Sequence, residues 1–370
     1  MKIQSIDLQN FRNYPELHLD FEDGIHIFYG DNAQGKTNLL EAIYLSSACR
    51  SFRTVNDREM IRFHEEEGHV KLFFERQKIR HRIDVHLKKG RAKGVAIDSV
   101  PMRKAAEFIG FLNVILFSPE DLQIVKEGPG ERRRFLDTEI SLTDKIYYQA
   151  WLKYRKALEQ RNQLLKDIPF TPSLTETLDV WDEALIRAGK EIIAGRKQFV
   201  SDMIGIVREM HRTITGDKEI LEIRYEPDVN EEDFAEKLRA ARERDLRQKT
   251  TTVGPHRDDL AFDLVSLKKE EPVLDARIYG SQGQQRTAAL SLKLSEIEWI
   301  RKKAGEPPVL LLDDVLSELD SGRQEYLLNS LKGIQTFITC TGLEHFVRNR
   351  VKTERVYHVT DGVITNDERI

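Results

Sequence analysis

Cysteine is scarce. Cys49 and Cys340 are the only two in 370 residues, far apart and without a nearby partner. That excludes a disulfide scaffold and a cysteine zinc site, and it fits a reducing, cytoplasmic compartment. Long apolar runs are missing too: none approaches the roughly 18 residues that span a bilayer, and the opening MKIQSIDLQNFRNY has no signal-peptide core. Nor does charge of either sign dominate. Lys and Arg number 58 against 62 Asp and Glu, a net −4, so any contact with nucleic acid has to come from local basic patches. Internal repeats and low-complexity tracts are absent. What is present is a chain too long for one small domain. It has 40% apolar residues for a large core, and its 32% charged residues exceed the roughly 25% of ordinary globular chains.

The first third alternates with period two. Leu17, Leu19 and Phe21 predict one half-buried strand, Val70, Leu72 and Phe74 a second, and Ile83, Val85 and Leu87 a third. Residues 25–29 (IHIFY) and 113–117 (NVILF) are continuous apolar runs of the kind that buried parallel strands carry. From about 120 to 250 the texture turns to long charged helices, predicted over 131–166, 174–212 and 231–248 and interrupted at Pro169, Pro172 and 226–230. Strand signals return at 260–265, 309–312 and 336–340. The order of sheet, helical insert and sheet predicts an α/β head in two parts, 1–120 and 253–370, with a mostly helical arm inserted at 121–252.

Gly30-Asp31-Asn32-Ala33-Gln34-Gly35-Lys36-Thr37 matches G-x-x-x-x-G-K-[ST] in full. A buried strand precedes it, and Leu39, Leu40, Ile43 and Ser47 follow at helical spacing. The glycines let the backbone wrap phosphate oxygens, and the helix N-terminus adds partial positive charge. Lys36 is expected to reach the β- and γ-phosphates of ATP, and Thr37 to offer its hydroxyl to Mg2+. The run 309–312 ends in Asp313 and Asp314. A parallel strand ending beside the loop would present Asp313 to the metal and Asp314 to the attacking water. Before that strand, Ser281-Gln282-Gly283-Gln284-Gln285 opens a helix with an apolar face of Ala288, Ala289, Leu292 and Ile297. The segment reads either as a plain helix cap or as a second phosphate cradle, in which Ser281, Gly283 and Gln284 close on the γ-phosphate held by another copy of the chain.

The trio of loop, acidic pair and Ser-Gln-Gly segment resembles the ATP-binding-cassette ATPases, whose LSGGQ-like segment completes the site of a partner subunit. Ser317-Glu318-Leu319-Asp320 resembles their D-loop. More narrowly, LQNFRNY at 8–14, GKTNLLEAI at 35–43, RSFR at 50–53, SPEDL at 118–122, RRRFLD at 132–137, GPHRDDL at 254–260 and LLDDVLSELD at 311–320 resemble the RecF family of bacterial DNA-repair proteins, short relatives of the SMC chromosome proteins. The resemblance runs from the first ten residues to about 342. It implies an ABC-type P-loop head with an inserted arm, ATP and Mg2+ as cofactors, and a weak DNA-dependent ATPase that works as a switch. It also implies an ATP-dependent homodimer on double-stranded DNA near single/double-strand junctions, with RecR and RecO as partners in loading RecA. Arg12 is implied to contact the nucleotide phosphates, the alternative being a turn cap. Two departures imply slow hydrolysis: Asp314 stands where cassette ATPases commonly place Glu, and Thr339-Cys340-Thr341 occupies the place of a histidine.

Basic residues cluster at Arg50, Arg53, Arg58 and Arg62, at Arg132-Arg133-Arg134, and along Arg239, Arg242, Arg244, Arg247 and Lys249. Each cluster is either a phosphate-binding face or a solvated helix face paired with acids; Arg50, Arg53 and Arg58 are the leading candidates for DNA. For His256 and Arg257 a structural place at the return into the sheet is one reading, and the sequence does not decide their role. No groove-reading motif occurs, so base-specific recognition is not expected. Two rival functions fit less of the chain. An SMC-like DNA organiser needs heptads sustained over hundreds of residues, and the ATPase subunit of a membrane transporter would lack the charged helical insert.

Overall fold

The computed structural model describes residues 1–103, 105–268, 272–343 and 355–367. The chain divides into two compact units, Met1–Leu122 with Glu296–Ile370, and Gln123–Ser295.

The first unit holds two six-stranded sheets. One is antiparallel, in the order Tyr14–Asp20, Lys2–Phe11, Glu67–Arg76, Ile79–Lys88, Gly94–Ile97, Val100–Pro101. Its period-two pattern is obeyed: Val70, Leu72, Phe74, Ile83, Val85 and Leu87 are buried, and the alternate residues are not. The other sheet runs Val363–Asn366, Arg355–Thr360, Ile25–Tyr29, Thr336–Cys340, Val309–Asp313, Val114–Phe117. Its neighbours are parallel apart from the Arg355–Thr360 and Val363–Asn366 hairpin. TFITC and VLLLD are buried at every residue, as strands flanked on both sides and covered on both faces must be. Thr336–Cys340 lies between the strand feeding the glycine-rich loop and the strand ending in the acids, and it pairs Thr339 with Asp313. The helix Lys36–Ala48 leaves the loop buried except at Thr37 and Asn38.

The second unit contains the helices Pro129–Thr143, Lys145–Asp167, Leu178–Ile214, Phe234–Ala240 and Arg242–Gln248. It also holds a three-stranded antiparallel sheet in the order Leu274–Asp275, Asp259–Ser266, Glu219–Glu226. The helix predicted over 131–166 is two helices. Asp144 leaves helical geometry at φ −122° and ψ 103°, and its carboxylate accepts the N–H groups of Ile146 and Tyr147 to cap the second helix. The stretch between the helices predicted at 174–212 and 231–248 holds the strand Glu219–Glu226, paired along its length with Asp259–Ser266.

Several arginines of the expected basic patches hold this unit together. Arg132 is buried and pairs with Asp259 at 2.5 Å. Arg133 donates to the Asp258 carbonyl at 2.8 Å, and Arg242 bridges Asp179 and Asp182. Arg161, outside those patches, is fully buried between Asp182 and Asp245 at 2.6 and 2.7 Å. His256 is structural as well, its ring bonded to the Tyr154 hydroxyl and the Thr251 carbonyl. Among the described residues no helix is long and apolar enough to cross a membrane.

Gly30 and Gly90 separate two kinds of glycine requirement. Both have left-handed φ, +148° and +72°, yet a Cβ at Gly30 would stand 2.3 Å from the Val359 carbonyl oxygen while one at Gly90 meets nothing within 4 Å. Gly90→Ala should lose about 1 kcal/mol, the left-handed penalty alone. Gly30→Ala should lose about 3 kcal/mol or more, because a backbone strand has to shift. Urea unfolding of the two variants measures the difference, and equal losses would contradict the steric account.

Candidate nucleotide-binding site

Residues 30–37 connect the strand Ile25–Tyr29 to the helix Lys36–Ala48. Left-handed φ values of 148°, 64° and 115° at Gly30, Ala33 and Gly35 curl the loop. Two hairpin turns brace it. From one, the Asn13 amide donates to the Gln34 carbonyl at 3.0 Å and the Tyr14 hydroxyl to the Gly35 carbonyl at 2.9 Å. From the other, the N–H groups of Gly362 and Asp361 donate to the Gln34 carbonyl and side-chain oxygen at 3.0 and 2.6 Å. Gly35 has a φ that L side chains rarely adopt, and a Cβ there would also sit 2.6 Å from the Asn13 amide, so the floor of the cradle favours glycine. Asp31, Asn32 and Ala33 form its exposed tip. Lys36 is 7% exposed, and its ammonium donates to the carbonyls of Gly30 and Asp31 at 2.6 and 2.7 Å. Burial lowers its pKa, against the pull of Asp314 and Asp313.

The acids meet the loop as the strand order requires. The hydroxyls of Thr37 and Thr339 both donate to Oδ1 of Asp313, at 2.8 and 2.7 Å. Asp313 is 9% exposed; burial raises its pKa, and the two hydroxyls with the charge of Arg53 oppose the rise. Asp314 follows in the left-handed region at φ 54° and ψ 21°, its N–H directed at both oxygens of Thr339, carbonyl and hydroxyl, at 3.2 and 3.1 Å. Burial raises its pKa too, against Lys36. Thr339 thus does more than fill the place of a histidine: it positions both acids. The Cys340 thiol is pushed up to about 12 by burial and by Asp314, which keeps it protonated and unreactive.

These residues fit a phosphate chain and a hard divalent cation. The cradle is closed at its glycines, the lysine is buried beneath it, and the hydroxyl and carboxylate at its mouth are oxygen donors of the kind Mg2+ takes. The carboxylate is buried with hydroxyls as its hydrogen-bond donors, a setting that a cation would relieve.

The basic residues of 12–58 divide. Arg12 forms a two-pronged pair with Glu41 at 2.7 and 2.6 Å and donates to the Glu59 carbonyl at 2.7 Å. Glu41 is fully buried in the loop helix. Arg53 donates to Asn38 at 2.7 Å and lies 3.7 Å from Glu41. Both guanidinium groups therefore sit against the helix that carries Lys36 and Thr37. Arg58 is exposed on the turn Asp57–Met60, and Arg50 is half-buried.

In the second unit, Ser281 and Gln284 form a reciprocal capping box. The Ser281 hydroxyl accepts the Gln284 N–H at 3.2 Å, and the Gln284 side-chain oxygen accepts the Ser281 N–H at 3.0 Å. Ser281 is exposed and Gly283 and Gln284 half-buried, at the start of the helix Gln282–Ala304. The Gln284 amide also donates to Glu219 at 3.0 Å, and Glu219 lies 3.3 Å from the buried His211 ring. The hydrogen bond with His211, aided by that from Gln284, lowers the Glu219 pKa against its burial. Neither Glu219 nor His211 was legible as part of this segment, because strand pairing and helix packing bring them there from 60 or more residues away.

A family model described as the RecF/RecN/SMC N terminal domain matches residues 2–365. The DNA replication and repair protein RecF of Lachnospira eligens is 50% identical over 99% of this chain and 100% of its own length. That of Agathobacter rectalis is 52% identical over 98% of this chain and 99% of its own. The recombination mediator protein RecF of the RecFOR pathway, solved as RecF-ATPrS, has a TM-score of 0.89 at 36% identity, covering 98% of this chain and 97% of that one. Solved as RecF-ATP, it has a TM-score of 0.87 at 36% identity, covering 99% and 97%. An Smc head domain from Pyrococcus furiosus shares the fold, with a TM-score of 0.56 at 16% identity over 99% of this chain and 96% of that one.

Asp313→Asn tests the buried charge. Asparagine keeps the oxygen that accepts both hydroxyls and removes the ionisable group. A carboxyl whose folded pKa lies above its unfolded value costs stability once ionised and costs none below the unfolded value of about 3.9. Asp313→Asn should therefore raise the Tm of the nucleotide-free chain at pH 7 by roughly a few degrees. The gain should shrink to nothing as pH falls through the ordinary aspartate range. Mg2+-dependent ATP binding should fall by about tenfold or more. Scanning calorimetry across pH and equilibrium dialysis check both, and an unchanged Tm at pH 7 would contradict the assignment.

Proposed function

The chain belongs to the RecF family of DNA replication and repair proteins, and from that membership we propose that it is an ATP-driven DNA-binding switch of recombinational repair. The observation that carries this reading is the meeting of Thr37 and Asp313 at 2.8 Å beneath a glycine-rich loop with a buried lysine. Thr37 and Asp313 would hold Mg2+, which would supply positive charge to the phosphates of ATP. Lys36 turns its ammonium from the loop carbonyls to the phosphates. Asp314 orients the attacking water and takes its proton, aided by a pKa raised through burial. Its side chain is one methylene shorter than glutamate, so its reach is poorer and turnover is slow, as a timed switch requires.

Two copies close over ATP. Ser281, Gly283 and Gln284 of one copy bind the γ-phosphate held by Lys36 of the other, and Glu219 keeps Gln284 in place. The closed dimer grips duplex DNA near single/double-strand junctions, and hydrolysis releases it. RecR and RecO assist in loading RecA; the naming of the solved relatives for the RecFOR pathway supports this part. Arg50, Arg53 and Arg58 take DNA phosphates. The charge of Arg53 is also felt at Asp313, so phosphates that draw Arg53 away from Asn38 would alter the metal-binding acid.

Ser281→Arg tests the shared site. The bulky side chain should block closure while each chain still binds ATP through its own loop, so dimerisation, hydrolysis and ATP-stimulated DNA binding fail together. Lys36→Arg should be inactive for a different reason, because a planar guanidinium does not replace a compact ammonium in the cradle. In a mixture of the two, a heterodimer holds both defects in one site and leaves the other whole, so turnover should partly return. If Ser281→Arg dimerises with ATP as the unaltered chain does, the segment is a helix cap and nothing more.

Arg58→Glu tests the DNA face. Duplex affinity should fall, and the slope of log affinity against log salt should flatten by about one, with ATP-driven dimerisation unaffected. An unchanged slope would move the DNA path away from this turn.

A further inference from the structure

The antiparallel sheet of the first unit gathers nitrogen and oxygen donors that the nucleotide chemistry does not use. The strands Glu67–Arg76 and Ile79–Lys88 pair with Glu67 opposite Lys88 and His69 opposite His86. Side chains alternate along a strand, so Gly68, Val70, Val85 and Leu87 enter the core, and Glu67, His69, His86 and Lys88 emerge together on the other face. The imidazole rings of His69 and His86 stack 4.3 Å apart and 7° from parallel. Glu67 lies 3.3 Å from His86 and 2.9 Å from the Lys88 ammonium. One ligand atom from each of Glu67, His69 and His86 can be chosen so that all lie within 4.8 Å of one another. Beyond His86 the register continues to Gly94. A Cβ built there would find only the His86 Cβ, 3.8 Å away, which leaves room beside the pair.

We propose that Glu67, His69 and His86 bind a divalent transition metal of the Zn2+ or Co2+ type, with water in the remaining positions. Two imidazoles and a carboxylate are the donor set that such ions take, while Mg2+ and Ca2+ prefer all-oxygen sites. The site is thus chemically separate from the Thr37 and Asp313 pair. Metal–ligand bonds of about 2.0–2.2 Å require the three donors to draw together. The two rings would rotate out of their stack and Glu67 would leave Lys88, on a backbone held by strand pairing. Loaded, the ion cross-links the two strands, and binding to the folded chain alone raises stability by mass action.

The test uses the full chain without an affinity tag, in excess Mg2+, titrated with Co2+ and then Zn2+. One equivalent of Co2+ should bind with visible ligand-field bands and no sulfur charge-transfer band, and Zn2+ should displace it and raise the Tm. His69→Gln and His86→Gln keep the cross-strand packing and remove the imidazoles. Each should weaken Co2+ binding by at least about tenfold, the loss that even outer partners of a metal site cause, and should abolish the Zn2+ shift in Tm. His64→Gln, exposed and outside the cluster, should bind as the unaltered chain does. ATP-driven dimerisation in the two cluster variants certifies their fold. Undiminished Co2+ affinity in the His69→Gln/His86→Gln double variant, or no Co2+ binding by the unaltered chain, overturns the proposal.

Discussion

Oδ1 of Asp313 accepts hydrogen bonds from Thr37 at the start of the loop helix and from Thr339 on the neighbouring strand. That contact depends on strand order more than on any one side chain. Adjacent strands lie about 4.8 Å apart, so an acid on the strand directly beside Ile25–Tyr29 would crowd the loop. With Thr336–Cys340 between them, the acid stands two strand spacings from the loop strand, and the first helical turn reaches across with Thr37. Thr339, on the strand between, supports the acid with a second hydrogen bond. The burial of VLLLD and TFITC holds this spacing, which is how a hydrophobic core becomes a constraint on a carboxylate.

The same site carries the unfavourable features of the head in concentrated form. Lys36 is buried, Asp313 and Asp314 have pKa values raised by burial, and Asp314 occupies a left-handed backbone conformation. Each lowers the stability of the isolated chain. The three charges share one remedy, since an anionic phosphate chain with a cation answers the lysine and the acids at once. Elsewhere in the first unit the buried charge of Glu41 is matched two-pronged by Arg12. Charge left imperfectly matched at a cleft, beside charge matched well a helical turn away, is the pattern of a binding site rather than of poor packing.

What the sequence made legible was local. The loop, the helix behind it and the apolar strands could be read because each is a contiguous pattern with one period. Asp313 could be read because it ends such a strand. What stayed hidden depends on pairing across distance. Arg132 sits in a basic triplet and looks solvated, yet it is buried against a partner, Asp259, that lies 127 residues away. Thr339 gave no sign of its role because its meaning lies in register with Asp313. Asn13 and Tyr14 brace the loop from a turn 21 residues upstream. The helix over 131–166 failed at Asp144 for a local reason, an N-cap whose signal was outweighed by helix formers on both sides.

The Ser281 segment allowed two sequence readings, and the capping box gives them a common physical basis. In the single chain the Ser281 hydroxyl and the Gln284 side chain satisfy each other, so the segment is stable without a ligand. A neutral hydrogen bond of this kind is worth about 1 kcal/mol net, while one to an ionised oxygen is roughly twice as strong. A γ-phosphate brought by a second copy would therefore win the hydroxyl from Gln284, and loss of that phosphate would return it. A difference of that size would be narrow enough to reverse. In such an exchange the hydrogen bond from the Gln284 amide to Glu219 would keep the residue that gives up the serine from swinging away, so that the cap could close again once the phosphate had gone.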